Sequence, residues 1–298
     1  MKKHVIIGSR GSDLALWQAN FVKGELEKQG CTVDINIIKT QGDAIQHLSF
    51  DKLEGKGFFT KEIEDALLSK SIDLAVHSHK DLETNPPAGL KIACVSSRAN
   101  PSDLLLIRKE CVDASQKWSL KAEATVGTSS ARRKTQFLHY RNDVTINDLR
   151  GNVPTRIDKL RQGNYDAIIL AKAGVDRLEL DLSEFECVEL NPTEFVPAPA
   201  QGVLGLQIRE DDAEMTELMS AMNDTAVELR ISLERKILNL LDGGCQLPLG
   251  AFCTEDHHLY VAYAEQTGAE SAFLHYEVTN FDGMAEKVVA DLKNAFVE

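Results

Sequence analysis

Residues 4–21 read HVIIGSRGSDLALWQANF. A short apolar run closes at Gly8 and a polar turn follows. From Ser12 onward, apolar residues recur at Leu14, Trp17, Phe21 and Leu26, close to the helical period. The stretch therefore predicts a strand, a tight junction and a helix whose start Ser12 can cap. The same grammar recurs downstream. TVDINII (32–38) is a second strand, FFTKEIEDALLS (58–69) has helical spacing at Phe59, Ile63 and Leu67, and IDLAVHS (72–78) is a strand of the buried type. Strands alternating with helices specify an open α/β sheet.

A break at ETNPPAGL (83–90) precedes the strand LKIACVSS (90–97), and NPSDLLLI (100–107) reads as the crossing into a second α/β domain. There ATVGTSS (124–130) leads to helix ARRKTQFLHYR (131–141), VTINDL (144–149) to TRIDKLRQG (155–163), and DAIILA (166–171) to AGVDRL (173–178). The Pro-rich NPTEFVPAPAQG (191–202) is a linker, after which VLGLQI (203–208) returns to the first domain. A helix from Thr225, two strands at 257–265 and 272–278, and a final helix from Met284 form a smaller α+β domain. The expected boundaries are 1–98 with 199–220, 99–198, and 221–298. The chain of 298 residues is long enough for this division.

Composition narrows the function. The formal net charge of -13 argues against a nucleic-acid binder, and no apolar run approaches a membrane span. The start MKKHVIIGSR reads as a first strand and not as a signal peptide. Six scattered cysteines without a CxxC pair fit a reducing cytoplasm and no disulfide framework. The segment 126–177 nonetheless holds ten Lys/Arg against five Asp, whereas 223–298 holds five against thirteen acidic residues. An acidic chain with one basic segment suggests a small anionic ligand, against the plainer reading of a solvated helix face.

Ligands of open α/β sheets gather where strands end and helices begin. The junctions here share a composition: Arg10 and Ser12 in GSRGS, Lys80 and Asp81 in HSHKD, Thr128, Ser130, Arg132 and Arg133 in GTSSARR, and Arg150, Gly151 and Arg156 in LRGNVPTR. Any one hydroxyl is an ordinary cap, but repeated hydroxyls beside Arg and Lys suit carboxylate or phosphate recognition. Asp81 has two readings: a helix cap, or an ionised acid able to stabilise positive charge and move a proton. His77 and His79 flank Ser78, and no metal site is expected. Lys56 lies between two glycines, which is consistent with a surface turn or a loop over a site. Cys245, in LDGGCQLPLG (241–250), follows a helix stop with no partner histidine nearby. It reads as a buried thiol or as a covalent attachment point.

Taken together, GSRGSDLALWQ, GKGFFTKEIEDALL, DLAVHSHKD, GTSSARR, LRGNVPTR, YDAIILAKAG, PAQGVLGLQIR and GGCQLPLG resemble, in this order, the porphobilinogen deaminase (hydroxymethylbilane synthase) family over essentially the whole chain. The resemblance implies two domains like type II periplasmic binding proteins plus the C-terminal domain. It further implies a dipyrromethane cofactor held through a thioether to Cys245. Four porphobilinogen molecules would be joined head to tail with loss of ammonia, and linear hydroxymethylbilane released by hydrolysis, in tetrapyrrole (heme-type) biosynthesis. Asp81 matches the catalytic carboxylate. Lys80, Thr128, Ser130, Arg132, Arg133, Arg150 and Gly151 match cofactor-binding positions, and Arg10, Ser12, Arg156, Arg177 and Gln201 substrate-binding ones. Lys52, Lys56 and Phe59 match an active-site loop. A cytoplasmic monomer without metal, nucleic acid, membrane or obligate protein partner is implied. The chain departs from the family at Glu83, where a proline is usual, and at His79, where an apolar residue is usual. The competing reading is a non-catalytic solute-binding protein, which would need neither Cys245 nor a covalent adduct.

Overall fold

The computed structural model describes residues 4–41, 60–242 and 246–296. Lys52, Lys56, Phe59 and Cys245 lie outside the described residues. The chain forms two compact units, Met1–Ala99 with Gly202–Leu229, and Asn100–Gln201 with Arg230–Glu298.

In the first unit, β1 (His4–Ser9) runs into α1 (Asp13–Lys28), then β2 (Thr32–Ile37), α2 (Lys61–Leu68), β3 (Leu74–Ser78) and β4 (Leu90–Val95). β10 (Leu204–Arg209) pairs antiparallel with both β3 and β4, completing the order β2-β1-β3-β10-β4. Strand 203–208 thus returns to the first sheet, as its apolar run suggests. β1 is parallel to both β2 and β3, so the carboxyl ends of β1 and β3 lie side by side. The core joins Val5 and Ile7 of β1 to Val22 and Leu26 of α1 and to Leu206 and Ile208 of β10. Each such fully buried aliphatic side chain contributes roughly 1.5–3 kcal/mol. α6 (Ala213–Ser220) adds Met215, Leu218 and Met219 to the same core.

The second unit repeats the order. β5 (Asp103–Arg108), β6 (Thr125–Gly127), α3 (Ala131–Tyr140), β7 (Thr145–Asn147), α4 (Val153–Arg161), β8 (Ala167–Ala171), α5 (Lys172–Arg177) and β9 (Phe185–Leu190) build a sheet ordered β7-β6-β8-β5-β9. β6 is parallel to β7 and β8, and β5 is antiparallel to β8 and β9. Relabelled from the first strand of each parallel set, both sheets have the order 2-1-3-x-4, in which x is the strand that enters from, or returns to, the other part of the chain. Leu104 and Leu106 pack on one face of β5, Leu105 and Ile107 on the other. Both faces are covered, which is why β5 and β8 read as continuous apolar runs.

The same unit holds the antiparallel sheet β11 (Leu249–Cys253), β12 (His258–Tyr263) and β13 (Ala272–Glu277), backed by Leu233, Ile237 and Leu238 of α7 (Thr225–Leu240) and by α8 (Met284–Asn294). It packs on α3. Phe273 lies 4.7 Å from the His139 ring, and the Gly268 N–H donates to Thr135 Oγ1 at 2.9 Å. Buried Glu234 of α7 accepts from the backbone N–H groups of Ala200 (2.7 Å) and Cys253 (2.8 Å), tying helix, linker and β11 together. Gly250 must be glycine, because a Cβ there would sit 2.5 Å from the Val196 carbonyl oxygen. Among the described residues no helix is long and apolar enough to cross a membrane.

Candidate active site and anion cradle

In the first unit a pocket opens beyond the ends of β1 and β3, lined by Arg10, Ser12, Gln18, His77, Ser78 and Asp81 together with apolar residues of α1 and α2. Ser12 caps α1, its hydroxyl accepting from the Ala15 N–H at 3.4 Å. Gln18, one and a half turns into α1, donates from Nε2 to Ser78 Oγ at 2.8 Å and so sets that hydroxyl at the rim. His77 is 7% exposed, with Nε2 3.0 Å from Gln207 Oε1. Gln207 Nε2 in turn donates to Glu64 Oε1 at 3.1 Å, so its carbonyl oxygen is left to accept and the His77 Nε2 carries the proton. Burial drives the His77 pKa down to about 4, the Gln207 bond opposes this, and Arg10 lowers it further. The ring is neutral near pH 7. Burial also raises the Glu64 carboxyl above its ordinary value, against the hydrogen bond from Gln207.

The residues after β3 do not open a helix. His79–Asp81 make one 3-10 turn, closed by Leu82 N–H donating to the His79 carbonyl at 3.2 Å. Asp81 caps nothing: it is exposed at the pocket and makes no hydrogen bond or ion pair among the described residues. Lys80 beside it is half-buried.

In the second unit the junction after β6 is more crowded. Thr128 is 2% exposed and its Oγ1 accepts from the Ser130 N–H at 3.3 Å, while Ser130 caps α3 by accepting from the Arg133 N–H. Arg132 and Arg133 are both buried. Arg132 Nη2 meets Asp103 Oδ2 at 2.7 Å, and Arg133 Nη2 meets Asp103 Oδ1 at 2.7 Å. Gln201, with no exposed surface, donates from Nε2 to Asp103 Oδ1 at 2.9 Å and to the Pro101 carbonyl at 2.7 Å. Arg156 Nε donates to the Gly151 carbonyl at 2.7 Å, and Lys159 Nζ to that of Arg150 at 3.0 Å. These bonds fold the loop between β7 and α4. Gly151 has φ +114°, a backbone that L side chains rarely adopt. At the end of α5, desolvation lowers the Arg177 pKa to about 10.

The local positive charge is only partly a site. Arg141 is buried on Asp143 and on the carbonyls of Lys117, Leu120 and Lys121, Arg161 pairs with Glu184 and Asp158, and Lys172 pairs with Asp176. Sequence reading also passed over Gln18, Asp103 and the pocket role of His77. An Asp opening an otherwise apolar strand was the available signal for Asp103.

Two α/β sheets of matching order, with Arg, Lys and hydroxyl residues at their strand ends, define a protein of the α/β class built on a repeated open sheet. The family described as "Porphobilinogen deaminase, dipyromethane cofactor binding domain" matches residues 5–217. Porphobilinogen deaminase of Nitratidesulfovibrio vulgaris is 45% identical over 83% of this chain and 78% of its own. That of Chloroherpeton thalassium is 44% identical over 84% and 79%, and that of Clostridium novyi 40% over 84% and 83%. The chain belongs to the porphobilinogen deaminase family. Among solved structures, a periplasmic binding protein with high arginine specificity from Salmonella typhimurium is 11% identical over 76% of this chain and 94% of that one, with TM-score 0.41, a likeness too slight to add to the sheet order.

The family's cofactor carries acidic side chains, and the second unit suits it. Two guanidinium groups share one carboxylate, and Arg132 Nε is buried without a hydrogen-bond partner among the described residues. An incoming carboxylate would meet an unused donor and an uncompensated charge.

Proposed function

We propose that this chain is the transferase its family is named for. It joins four porphobilinogen molecules head to tail, releases one ammonia per addition, and frees linear hydroxymethylbilane by hydrolysis. The observation that carries the assignment of roles is Asp81, an exposed acid at a polar pocket with no partner among the described residues. In each addition the bond from the aminomethyl carbon to nitrogen breaks and nitrogen leaves as ammonia. A carbon–carbon bond then forms to a neighbouring pyrrole, whose ring proton is lost. Positive charge develops on the substrate pyrrole as nitrogen leaves. Asp81 stabilises that charge and accepts from the pyrrole N–H. Arg10 and Ser12 bind substrate carboxylates at the α1 N-terminus, where N–H groups and a capping hydroxyl are already oriented.

Dipyrromethane, attached through Cys245, would supply the nucleophilic ring carbon to which the four units are added, its own two pyrroles staying on the protein when product is released. Lys80, Thr128, Ser130, Arg132, Arg133, Arg150 and Gly151 hold its carboxylates, Arg156, Arg177 and Gln201 serve substrate, and Lys52, Lys56 and Phe59 belong to a loop over the site. The three-domain division at 1–98 with 199–220, 99–198 and 221–298, a cytoplasmic location, a monomeric state and independence of metal, nucleic acid, membrane and protein partners complete the reading. The test is incubation with porphobilinogen while ammonia and linear tetrapyrrole are measured. Four ammonia per product are expected; binding without ammonia release would leave a non-catalytic binding protein.

A further inference from the structure

We infer that Asp103 is the positioning residue of the arginine pair: it aims Arg132 and Arg133 together and leaves the trio one net positive charge for a single incoming carboxylate. The inference rests on the cofactor reading above and extends it to a residue that need not touch the ligand.

Asp103 opens β5 with no exposed surface. Its Oδ2 accepts from Arg132 Nη2 at 2.7 Å. Its Oδ1 accepts from Arg133 Nη2 at 2.7 Å, from Arg133 Nε at 3.2 Å and from Gln201 Nε2 at 2.9 Å. The far edges of both forks are held as well, Arg132 Nη1 by the Val196 carbonyl at 2.9 Å and Arg133 Nη1 by that of Ile169 at 3.0 Å. Each guanidinium is fixed at two edges and cannot pivot. What is left unspent is Arg132 Nε.

The charge count is the second observation. Arginine stays protonated inside proteins, so two cations face one carboxylate in a buried site. A cluster serving stability alone would be neutral, because an uncompensated buried charge is costly and even balanced pairs are often matched by apolar packing. Desolvation already weighs on Arg132, lowering its pKa, while Asp103 opposes that and Arg133 adds to it. An anionic ligand removes the imbalance. Asp103 keeps it to one charge, and the Gln201 amide braces Asp103.

The test reads intact mass under denaturing conditions on the folded monomer isolated by gel filtration, for wild type, Asp103→Asn and Arg133→Met. Asparagine matches the shape but cannot accept at both positions, so Asp103→Asn should carry at least tenfold less adduct. A folded Asp103→Asn fully loaded with adduct would overturn the inference while leaving the cofactor reading intact. Wild type at bare polypeptide mass would instead remove the cofactor reading itself, and the inference with it. Should Asp103→Asn fail to fold, Arg133→Met decides, since it leaves a neutral Arg132–Asp103 pair. It should lack adduct yet unfold within about 2 °C of Cys245→Ser, the cofactor-free reference. Full loading, or an unfolding temperature far below that reference, would count against the inference.

Discussion

Two aspartates at comparable places in the two units have opposite surroundings. Asp81 follows β3 of the first sheet, exposed and without a partner among the described residues. Asp103 begins β5 of the second, fully buried beneath two arginines and a glutamine. An unpaired carboxylate keeps its charge available for a substrate, whereas a saturated one has already committed its charge to holding other side chains. The difference separates chemistry from positioning more sharply than residue type does.

The largest expected effect is on turnover. Asp81→Ala should lower kcat by about 10²–10⁴-fold, the usual worth of a positioned acid–base group, while the unfolding temperature and the adduct mass stay unchanged. A near-normal rate would move the catalytic role to another residue. Asp103→Asn should instead lower the adduct and cost stability, about 3–5 kcal/mol by denaturant unfolding, as expected when one partner of a buried charge cluster is removed. Equal stability losses at both positions would erase the contrast.

A smaller effect concerns pH. His77 has a folded pKa of about 4 against an unfolded value near 6.5, so between these values the unfolded chain binds more protons. Stability from this group is complete above pH 6.5 and lost as pH falls toward 4, at up to about 1.4 kcal/mol per pH unit. Urea midpoints of wild type and His77→Asn from pH 7 to 4.5 would show it, the variant having the shallower slope. The smallest effect is expected at Arg161, an exposed ion-paired residue in the same basic segment. Arg161→Ala should leave turnover and adduct unchanged and shift the unfolding temperature by no more than about 2 °C.

Much of the fold could be read from the alternation of short apolar runs with helical spacing, and the return of 203–208 to the first sheet followed from its apolar run after a Pro-rich linker. β9 and β11 were not anticipated. β9 is an edge strand with only Phe185 and Leu190 buried, so its pattern is weak. β11 is buried throughout but follows Pro248 inside a stretch rich in glycine. The helix expected after Asp81 is a single turn, because Pro86 and Pro87 and the short link to β4 leave no room for another. Motif order located the candidate residues, but one strand's worth of charge bookkeeping was hidden. Nothing in DLLLI announces that its first residue gathers Arg132, Arg133 and Gln201 from segments far along the chain, since such convergence exists only once β5 is placed beside β8.

The central claim is that this chain works from a covalently held pyrrole cofactor, and one mass spectrum tests it most directly. The purified wild-type protein should exceed its polypeptide mass by one dipyrromethane, and Cys245→Ser should return to the bare mass. Wild type at the bare polypeptide mass would contradict the account.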